Sequence, residues 1–541
     1  MGRLQSVVAK ANKRLTLQLA AALLAGSTLM SSLLGLFRDR LLNAKYFDAF
    51  PQAIDAYTVA FTVPDFMYFI LVSGALSVTF IPVFNQRLAS GNKRSAWELS
   101  TSVLNLMAVA TLVASVLIMI FAEPLVAYVV GPGLDESGRS LAVSLMRVVA
   151  INPFLFAVAT VISSMQQAVG RFSFFALAPT IYNIGIIIGI TVFTNGISLF
   201  GWQVFEGGIM GVALGVVLGS ILQLLVSVIG LTGMGFDYRF KIYWRNKGFR
   251  KVLSLLPARS LDQGIDYVNS IVETNIASRM VAGTVRAYQQ AMTLHMVPIN
   301  LIGVAISTAA FPKMSERLSQ GRPDLFKQEF QSVLRVIIWL ALPVAVVAFF
   351  GRGYLVNFIL NGGQHMIASL LGILCVAIFF RSVYHIASRS FYAQQDTKTP
   401  LYISLVSVGL NIFLAIILAL VLDWGVYGIA WAASIVSVLE VAILFVIMSR
   451  RIEGLFDSTF VHAVARMLSA AGFMAIVTYS MVLWMPLSGG EQSFFTTFPS
   501  FAFIAGVSMV VYTAICWLMK LEEPVPIIRS INRILFGRME R

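Results

Sequence analysis

Long apolar runs separated by short polar segments repeat along the whole chain. A helix needs about 20 apolar residues to cross the hydrocarbon core of a bilayer. By that rule the hydrophobic pattern predicts fourteen membrane-spanning helices. Their approximate ranges are 15–37, 53–84, 98–121, 140–168, 173–195, 207–233, 252–278, 284–312, 328–350, 367–392, 400–421, 425–449, 460–484 and 497–519.

The seventh predicted span is the least apolar, because it contains the sequence ARSLDQGIDYVNSIVETNIAS at 258–278. Four polar positions in it are spaced four, three and four residues apart, so they share one face of a helix. That face cannot point at lipid, because a charged residue at mid-membrane costs about 2.5–3.5 kcal/mol. The face either binds a coupling ion, sodium or proton, or forms a wetted wall paired with Arg259 and Arg286. The four positions are Asp262, Asp266, Asn269 and Glu273.

The amino-acid composition excludes a soluble globular protein. Of the 541 residues, 58% are hydrophobic and 12% are charged, whereas a soluble protein carries about 25% charged residues. Cys375 and Cys516 both lie in apolar runs, so neither a disulfide framework nor a metal site is predicted.

The net charge of +14 is concentrated in alternate loops. About two thirds of the lysine and arginine residues fall on one side if both termini are cytoplasmic, as the positive-inside rule requires. The basic and aromatic loop at 237–251 is then an interfacial loop rather than a nucleic-acid site. The two ends of the chain, 1–14 and 520–541, have the pattern of helices lying on the membrane surface.

The chain contains an internal repeat. GALSVTFIPVFNQRLASG at 74–91 aligns without a gap with VAISTAAFPKMSERLSQG at 304–321. Six predicted spans separate the two segments, so the halves have the same orientation in the membrane, as in transporters built from parallel repeats. The predicted parts are an interfacial segment at 1–14, an N-lobe at 15–233, a basic cytoplasmic loop at 234–251, a C-lobe at 252–449, two further spans at 460–519 and a basic amphipathic cytoplasmic tail at 520–541.

Catalytic motifs are missing from the sequence. It contains no G-x-x-x-x-G-K-[ST], H-E-x-x-H or G-x-S-x-G pattern, and its four histidines are scattered. Nucleotide hydrolysis through a P-loop is therefore excluded. The sequence predicts a transporter that draws on the membrane potential, an ion gradient or the gradient of its own substrate.

Five segments resemble one known family. They are SSLLGLFRDR at 31–40, IDAYTVAFTVPDF at 54–66, SGALSVTFIPVF at 73–84, GRFSFFALAPTIYNIG at 170–185 and SFYAQQDTKTPLY at 390–402. Together they are similar to the MurJ/MviN family of lipid II flippases, within the multidrug/oligosaccharidyl-lipid/polysaccharide exporter superfamily. The resemblance covers nearly the whole chain.

The resemblance implies a fold and a substrate. Two six-helix lobes would surround a cationic central cavity, and spans 460–519 would form an apolar groove for a lipid tail. The substrate would be the undecaprenyl-diphosphate-linked peptidoglycan precursor, moved from the inner to the outer leaflet of the bacterial inner membrane. Arg38 and Asp55 match residues of the family cavity. Three other family arginines have no counterpart here, because their positions hold Ser32, Tyr68 and Thr293.

Other residues on the spans could replace those arginines. Arg381, His385 and Arg389 share one face of the tenth span because they are four residues apart. Arg389 could instead extend from the helix end to the membrane surface. Arg259 and His295 are further candidates for the cavity wall, although a single histidine is more often a packing residue.

The resemblance also concerns the driving ion. Some family members use sodium between the seventh and eleventh spans, where Asn411 would contribute, but Ala415 stands where a second carboxylate is expected. No cofactor other than such an ion is expected.

The sequence leaves three functions open. The first is a flippase for the peptidoglycan precursor, and the second is a flippase for another lipid-linked oligosaccharide of the O-antigen or capsule type. The third is a non-transporting scaffold for cell-wall synthesis, which has less need of costly charges inside the membrane. We expect a monomer whose partners are the lipid-linked precursor and membrane lipids, and could include cell-wall synthesis or division proteins, but no nucleic acid.

Overall fold

The computed structural model describes residues 17–199, 202–360, 365–487 and 494–525. The interfacial segment predicted at 1–14 and most of the tail predicted at 520–541 lie outside these residues. The chain divides into two compact units, Met1–Arg286 and Ala287–Arg541.

The first unit is built from long helices and one short hairpin. Its helices are α1 (Leu17–Tyr46), α2 (Pro51–Tyr68), α3 (Gly74–Ala89), α4 (Lys93–Pro124), α5 (Glu136–Val149), α6 (Asn152–Ala168), α7 (Ser173–Thr191), α8 (Ile209–Ile229) and α9 (Lys247–Ser278). Short π-helical segments, Phe69–Ser73 and Leu125–Val130, continue α2 and α4, and a 3₁₀ turn, Phe193–Asn195, follows α7. Two short antiparallel strands, β1 (Ile197–Leu199) and β2 (Trp202–Phe205), lie between α7 and α8.

The second unit begins within α10 and is also helical. Its helices are α10 (Thr284–Pro298), α11 (Ala305–Ser319), α12 (Pro323–Phe350), α13 (Arg352–Asn357), α14 (His365–Ala393), α15 (Lys398–Ile416), α16 (Val426–Arg451), α17 (Ser458–Trp484) and α18 (Phe494–Leu518). The π-helical segments Ile299–Val304 and Ile417–Val421 continue α10 and α15.

The predicted all-α polytopic fold is confirmed. Among the described residues, twelve helices are long and apolar enough to cross a membrane, and they coincide with predicted spans two to six and eight to fourteen. Helices also occupy the first and seventh predicted spans: α1 has 30 residues and α9 has 32. The count of fourteen spans is therefore approximate.

Glycines bring α7 and α8 into close contact. A Cβ atom added to Gly185 would lie 2.3 Å from the Cα of Gly219, and one added to Gly215 would lie 2.4 Å from the Cα of Gly189. These glycines recur at every fourth position on each helix, the pattern that lets helix backbones meet inside a membrane.

The sequence repeat is visible in the local structure of both units. The π-helical segment Phe69–Ser73 precedes α3, and the π-helical segment Ile299–Val304 precedes α11. Gly91 and Gly321 follow those two helices with positive φ values of 75° and 68°. The backbone N–H groups of Gly91 and Gly321 donate to Leu88 and Leu318 respectively, so the two helices end in the same way.

Helix α9 packs within the first unit, although the sequence repeat would group it with the second lobe. Tyr267 stacks on Phe69 with ring centroids 4.3 Å apart, and Gly264 lies against Ile70. At its C-terminal end, Asn275 donates to the carbonyl of Val129 at 2.7 Å. These three contacts are to the π-helical segments that follow α2 and α4, and α9 also packs along α3.

The loop before α9 is held against α4. Tyr238 donates its hydroxyl to Asn105 at 2.9 Å, and the amide of Asn105 donates to the carbonyls of Arg239 and Lys241. Asn246 then caps α9 by accepting from two backbone N–H groups.

Candidate functional site

A cluster of charged and amide side chains is buried at the end of α1. Arg38, Asp39 and Asn43 come from the last turns of that helix. Asp55 comes from the first turns of α2, and Arg286 comes from the first turn of α10. Asp39, Asn43, Asp55 and Arg286 are each at least nine-tenths buried.

Asp39 lies between two guanidinium groups. Its Oδ1 accepts from Nη2 of Arg38 at 3.1 Å and from Nη2 of Arg286 at 3.3 Å. Nε of Arg286 also donates to Oδ1 of Asn43 at 3.0 Å. Because Arg286 reaches Asn43 and Asp39 through two different nitrogens, the planar guanidinium fork suits this geometry.

Asp55 binds the beginning of α10 through the backbone. Its two carboxylate oxygens accept from the N–H of Gly283 at 2.7 Å and from the N–H of Arg286 at 2.8 Å. The first N–H groups of a helix have no partner within the helix, and a carboxylate there is also favoured by the helix dipole. Asp55, predicted as a cavity residue, thus acts as a cap supplied by another helix.

Arg38 is the most accessible member of this cluster. Its side chain is 26% exposed, whereas that of Arg286 is 5% exposed. Nη1 of Arg38 donates to Oδ1 of Asn183 at 3.0 Å, and the amide of Asn183 donates back to Ser31 on α1. Asn183 belongs to the segment APTIYN on α7, so this segment orients the arginine.

The three positions without the family arginines hold uncharged residues. The hydroxyl of Tyr68 lies 2.9 Å from that of Thr160, and Thr293 donates to the carbonyl of Gln289 on its own helix. Ser32 is exposed on α1.

In the second unit, the predicted stripe lies on α14. Arg381 forms an ion pair of 3.3 Å with Glu440 of α16. His385 packs against Gly303, where α14 crosses the π-helical segment so closely that a Cβ on Gly303 would lie 2.7 Å from the Cα of Ser382. Arg389 donates to the carbonyl of Val304 at 3.2 Å and to the hydroxyl of Thr308.

His295 is 4% exposed, and its Nδ1 lies 3.4 Å from the carbonyl of Met292. It is therefore packed inside the second unit. The structure brings Arg381, His385 and Arg389 onto one helix, as predicted, but each contacts a different neighbour.

The polar stripe of α9 is described only in part. Asn269 donates to Oε1 of Glu273 at 2.8 Å, and Glu273 is 5% exposed, so these two positions share a face as predicted. The side chains of Arg259, Asp262 and Asp266 lie outside the described part of the structure. Asn411 is buried on α15 of the second unit. Within the described residues, no group of three or more His, Cys, Asp or Glu side chains is arranged to hold a metal ion.

The structure identifies polar residues that the sequence patterns did not. The partners of Arg38 and Arg381 include Asp39, Asn183 and Glu440, and Arg286 is part of the first cluster rather than of the α9 stripe. The adjacent Arg and Asp in GLFRDR and the isolated Glu in α16 were the available signals, but neither reveals its partner.

Sequence comparison gives consistent matches. A family model described as "Lipid II flippase MurJ" matches residues 43–499. A protein from Bdellovibrio bacteriovorus named "Probable lipid II flippase MurJ" is 25% identical over 524 residues, covering 94% of this chain and 96% of its own length. A protein of the same name from Thermotoga maritima is 26% identical over 509 residues, covering 93% of this chain and 96% of its own. The "Lipid II flippase MurJ" of Burkholderia cenocepacia is 28% identical over 400 residues, covering 70% of this chain and 74% of its own.

Solved structures share the fold. The structure titled "Lipid II flippase MurJ, inward closed conformation" matches with a TM-score of 0.72 and 23% identity, covering 91% of this chain and 99% of that one. An inward-facing multidrug transporter of the MATE family matches with a TM-score of 0.66 and 16% identity, covering 79% of this chain and 96% of that one.

Proposed function

The chain belongs to the lipid II flippase MurJ family, and from that membership we propose that it moves the lipid-linked peptidoglycan precursor from the inner to the outer leaflet of the bacterial cytoplasmic membrane. It is then a transporter of peptidoglycan biosynthesis and not an enzyme. The observation that carries the proposal is coverage: relatives of this name align over almost their whole length, as does the solved MurJ structure.

The chemistry of the first cluster supports an anionic substrate. A diphosphate cannot cross hydrocarbon without compensating charge, and arginine pairs with phosphate through two hydrogen bonds. Arg38 is suited to this role because it is anchored by Asp39 and Asn183 and remains 26% exposed. Ionisable residues inside a membrane usually face a wet cavity, and such residues are candidates for substrate binding by default.

The repeat supports alternating access. The pairs α2–α3 and α10–α11 are each joined by a π-helical segment, and transporters with parallel repeats rock one half against the other. The driving force we propose is the membrane potential or an ion gradient. A sodium ion or proton bound along Asp262, Asp266, Asn269 and Glu273, with Asn411, is the coupling site that the sequence suggests.

Hydropathy and charge also indicate where the protein lies and how it is oriented. The protein is a multi-pass membrane protein with twelve apolar helices among its described residues. We propose cytoplasmic termini, because the basic residues are concentrated on that side under this orientation. We also propose that it works as a monomer in contact with membrane lipids, and that cell-wall synthesis or division proteins interact with it.

Rescue of a bacterium depleted of its own lipid II flippase tests the proposal. The wild-type chain should restore growth and the accessibility of the precursor at the outer leaflet. Arg38→Ala should restore neither, while Arg94→Ala, whose side chain is 88% exposed on α4, should restore both. Failure of the wild-type chain, expressed in the membrane at a normal level, would contradict the proposed activity.

Ser32, Tyr68 and Thr293 favour one alternative, a flippase for a different lipid-linked oligosaccharide, because they replace cations of the family cavity. Deletion of the gene in the native host distinguishes the two proposed flippase functions. Loss of a peptidoglycan-precursor flippase causes lysis, whereas loss of a capsule or O-antigen flippase leaves growth intact. A scaffold without transport activity would support growth equally well as wild type and as Arg38→Ala, and neither form would change precursor translocation.

A further inference from the structure

A hydrogen-bonded network surrounds Glu440 in the middle of α16. Its Oε2 lies 3.3 Å from Nη1 of Arg381 on α14, and its Oε1 accepts from the hydroxyl of Ser404 on α15 at 3.3 Å. The hydroxyl of Tyr384 lies 3.0 Å from that of Ser404. Three helices therefore contribute to the site.

Burial differs sharply between the two charged partners. The side chain of Glu440 is 2% exposed, whereas that of Arg381 is 35% exposed. Arg381 also lies over the ring of Tyr384, 5.8 Å from its centroid. Both residues are near the middle of helices that are long and apolar enough to span a membrane. The exposed part of the guanidinium must meet water or a polar ligand, because lipid would disfavour it.

The other titratable side chains near Glu440 and Arg381 are tyrosines, histidines and one arginine. Tyr384, His385 and Arg389 lie on the same helix as Arg381. His295 of α10 lies within electrostatic range of the Arg381 guanidinium. Tyr392 lies near Tyr384. Among these neighbours Glu440 is the acidic side chain, and it is the one whose ion pair with Arg381 an incoming anion would disturb directly.

The ion pair links anion binding to proton binding. If a phosphate oxygen takes the guanidinium of Arg381, the opposite charge that stabilises the carboxylate of Glu440 is shared or removed. An ionised carboxylate that loses its counter-charge in a nonpolar interior is strongly disfavoured, and such a group takes up a proton instead. The hydroxyl of Ser404 can still hydrogen-bond to the neutral acid.

We propose that Glu440 is a proton-binding site that becomes occupied when Arg381 captures an anionic substrate. One proton from the solvent adds to a carboxylate oxygen of Glu440 as one phosphate oxygen pairs with Arg381, so the proton compensates one of the two negative charges that the diphosphate carries. Release of the substrate lets the ion pair re-form and returns the proton. This inference rests on the proposed function for the identity of the anion, lipid II.

Proton uptake on binding tests the inference. Purified protein in weakly buffered detergent at neutral pH is titrated with lipid II, whose disubstituted diphosphate has no proton to exchange in this range, while a pH-indicator dye is monitored. Wild type should take up about one proton for each lipid II bound. Glu440→Gln should bind lipid II with no uptake, because a neutral amide replaces the carboxylate. Glu523→Gln is the matched control, since Glu523 also forms a buried ion pair, with Arg335, in the same unit, and it should keep the uptake.

A measurement on wild type covers the case in which Glu440→Gln does not fold. Infrared difference spectra with and without lipid II should show the C=O stretching band of a newly protonated carboxylic acid. Binding by wild type with neither proton uptake nor this band would overturn the inference and leave the proposed function intact. Uptake that persists in a folded Glu440→Gln protein would also overturn it. Absence of lipid II binding by wild type would instead count against the proposed function.

Discussion

Asp55 accepts a 2.8 Å hydrogen bond from the backbone N–H of Arg286, and the side chain of that arginine turns to a second carboxylate, Asp39. One residue thus contributes its backbone to one acid and its guanidinium to another. The two contacts connect the first turn of α10 to α2 and to α1.

Replacing Asp55 tests its role as a cap. Asp55→Asn leaves one oxygen to accept from the two N–H groups of Gly283 and Arg286, and it places an amide N–H against the other. Loss of a helix cap costs about 0.5–2 kcal/mol, and burial places the change at the upper end. The midpoint of thermal unfolding should fall, as measured by the reaction of a thiol dye with Cys375 and Cys516, both buried in the folded chain. Asp237→Asn, in an exposed ion pair, should leave the midpoint unchanged.

The guanidinium of Arg286 should stabilise the buried cluster. Its Nε and Nη2 donate to Asn43 and Asp39 respectively, a fork that the single ammonium of a lysine does not reproduce. Arg286→Gln should destabilise the protein by about 3–5 kcal/mol, because it leaves Asp39 with only Arg38 as counter-charge among these partners. The double variant Arg286→Gln/Asp39→Asn should recover part of this loss in a thermal unfolding cycle. Strict additivity of the two single changes would show that the buried pair has no energetic coupling.

Hydrophobic patterning was sufficient for the helices but not for their polar contacts. The predicted span 207–233 contains α8 (Ile209–Ile229), because membrane thickness fixes the length of an apolar helix. The pairing of Arg38 with Asn183 joins helices far apart in sequence, and the apolar pattern carries no information on which polar atoms meet. Arg381 was identified as a cation inside the membrane, but its ion pair with Glu440 depends on how α14 packs against α16.

The position of α9 shows the same limit of patterning. The repeat predicts a second lobe that begins near residue 252, but sequence similarity does not specify which helices α9 packs against. In the structure α9 packs on α3 and on the π-helical segments after α2 and α4, through contacts such as Tyr267 with Phe69. A π-helical segment leaves no hydrophobic signature, so this contact surface could not be predicted.

The glycine crossing of α7 and α8 should not tolerate a methyl group. A Cβ on Gly215 would lie 2.4 Å from the Cα of Gly189, so the two helices would have to separate. Gly215→Ala should cost about 1–3 kcal/mol, the range found when a tightly packed interface is overfilled. Gly409→Ala on α15 is the control, because nothing lies within 4 Å of its new Cβ, and it should be neutral or stabilising by up to about 1 kcal/mol. Equal thermal stability of the two variants would contradict the importance of the crossing.

The loop before α15 should show a defined pH dependence. Burial alone would raise the pKa of Asp396, but hydrogen bonds from Thr399 and the guanidinium of Arg451 outweigh it and lower the pKa to about 2. A carboxyl whose folded pKa is depressed stabilises the protein fully above its unfolded pKa of about 3.9 and loses that contribution as the pH falls through the folded value. The stability difference between wild type and Asp396→Asn should therefore be constant from about pH 5 to pH 8 and shrink below about pH 4. Unfolding midpoints measured across that range give the difference, and one that grew on acidification would contradict the assignment.

The polar stripe of α9 yields a prediction about ion dependence. Gly264 and Tyr267 contact the π-helical segment after α2, and at about 100° per residue positions 262, 266, 269 and 273 lie on the opposite side of the helix. On that side Glu273 is 5% exposed and accepts a hydrogen bond from Asn269.

Glu273→Gln keeps the hydrogen bond that Asn269 donates to Oε1, and removes only the charge. If the stripe binds a driving ion, this change, like Asp262→Asn and Asp266→Asn, should reduce the dependence of translocation on sodium or on pH in sealed vesicles. The two gradients are varied separately, with Glu98→Gln on α4 as the control for an acid in an ion pair at the beginning of a helix. Ion dependence that is unchanged in all three variants, with the rate lowered or not, would assign the stripe to balancing the charge of the arginines instead.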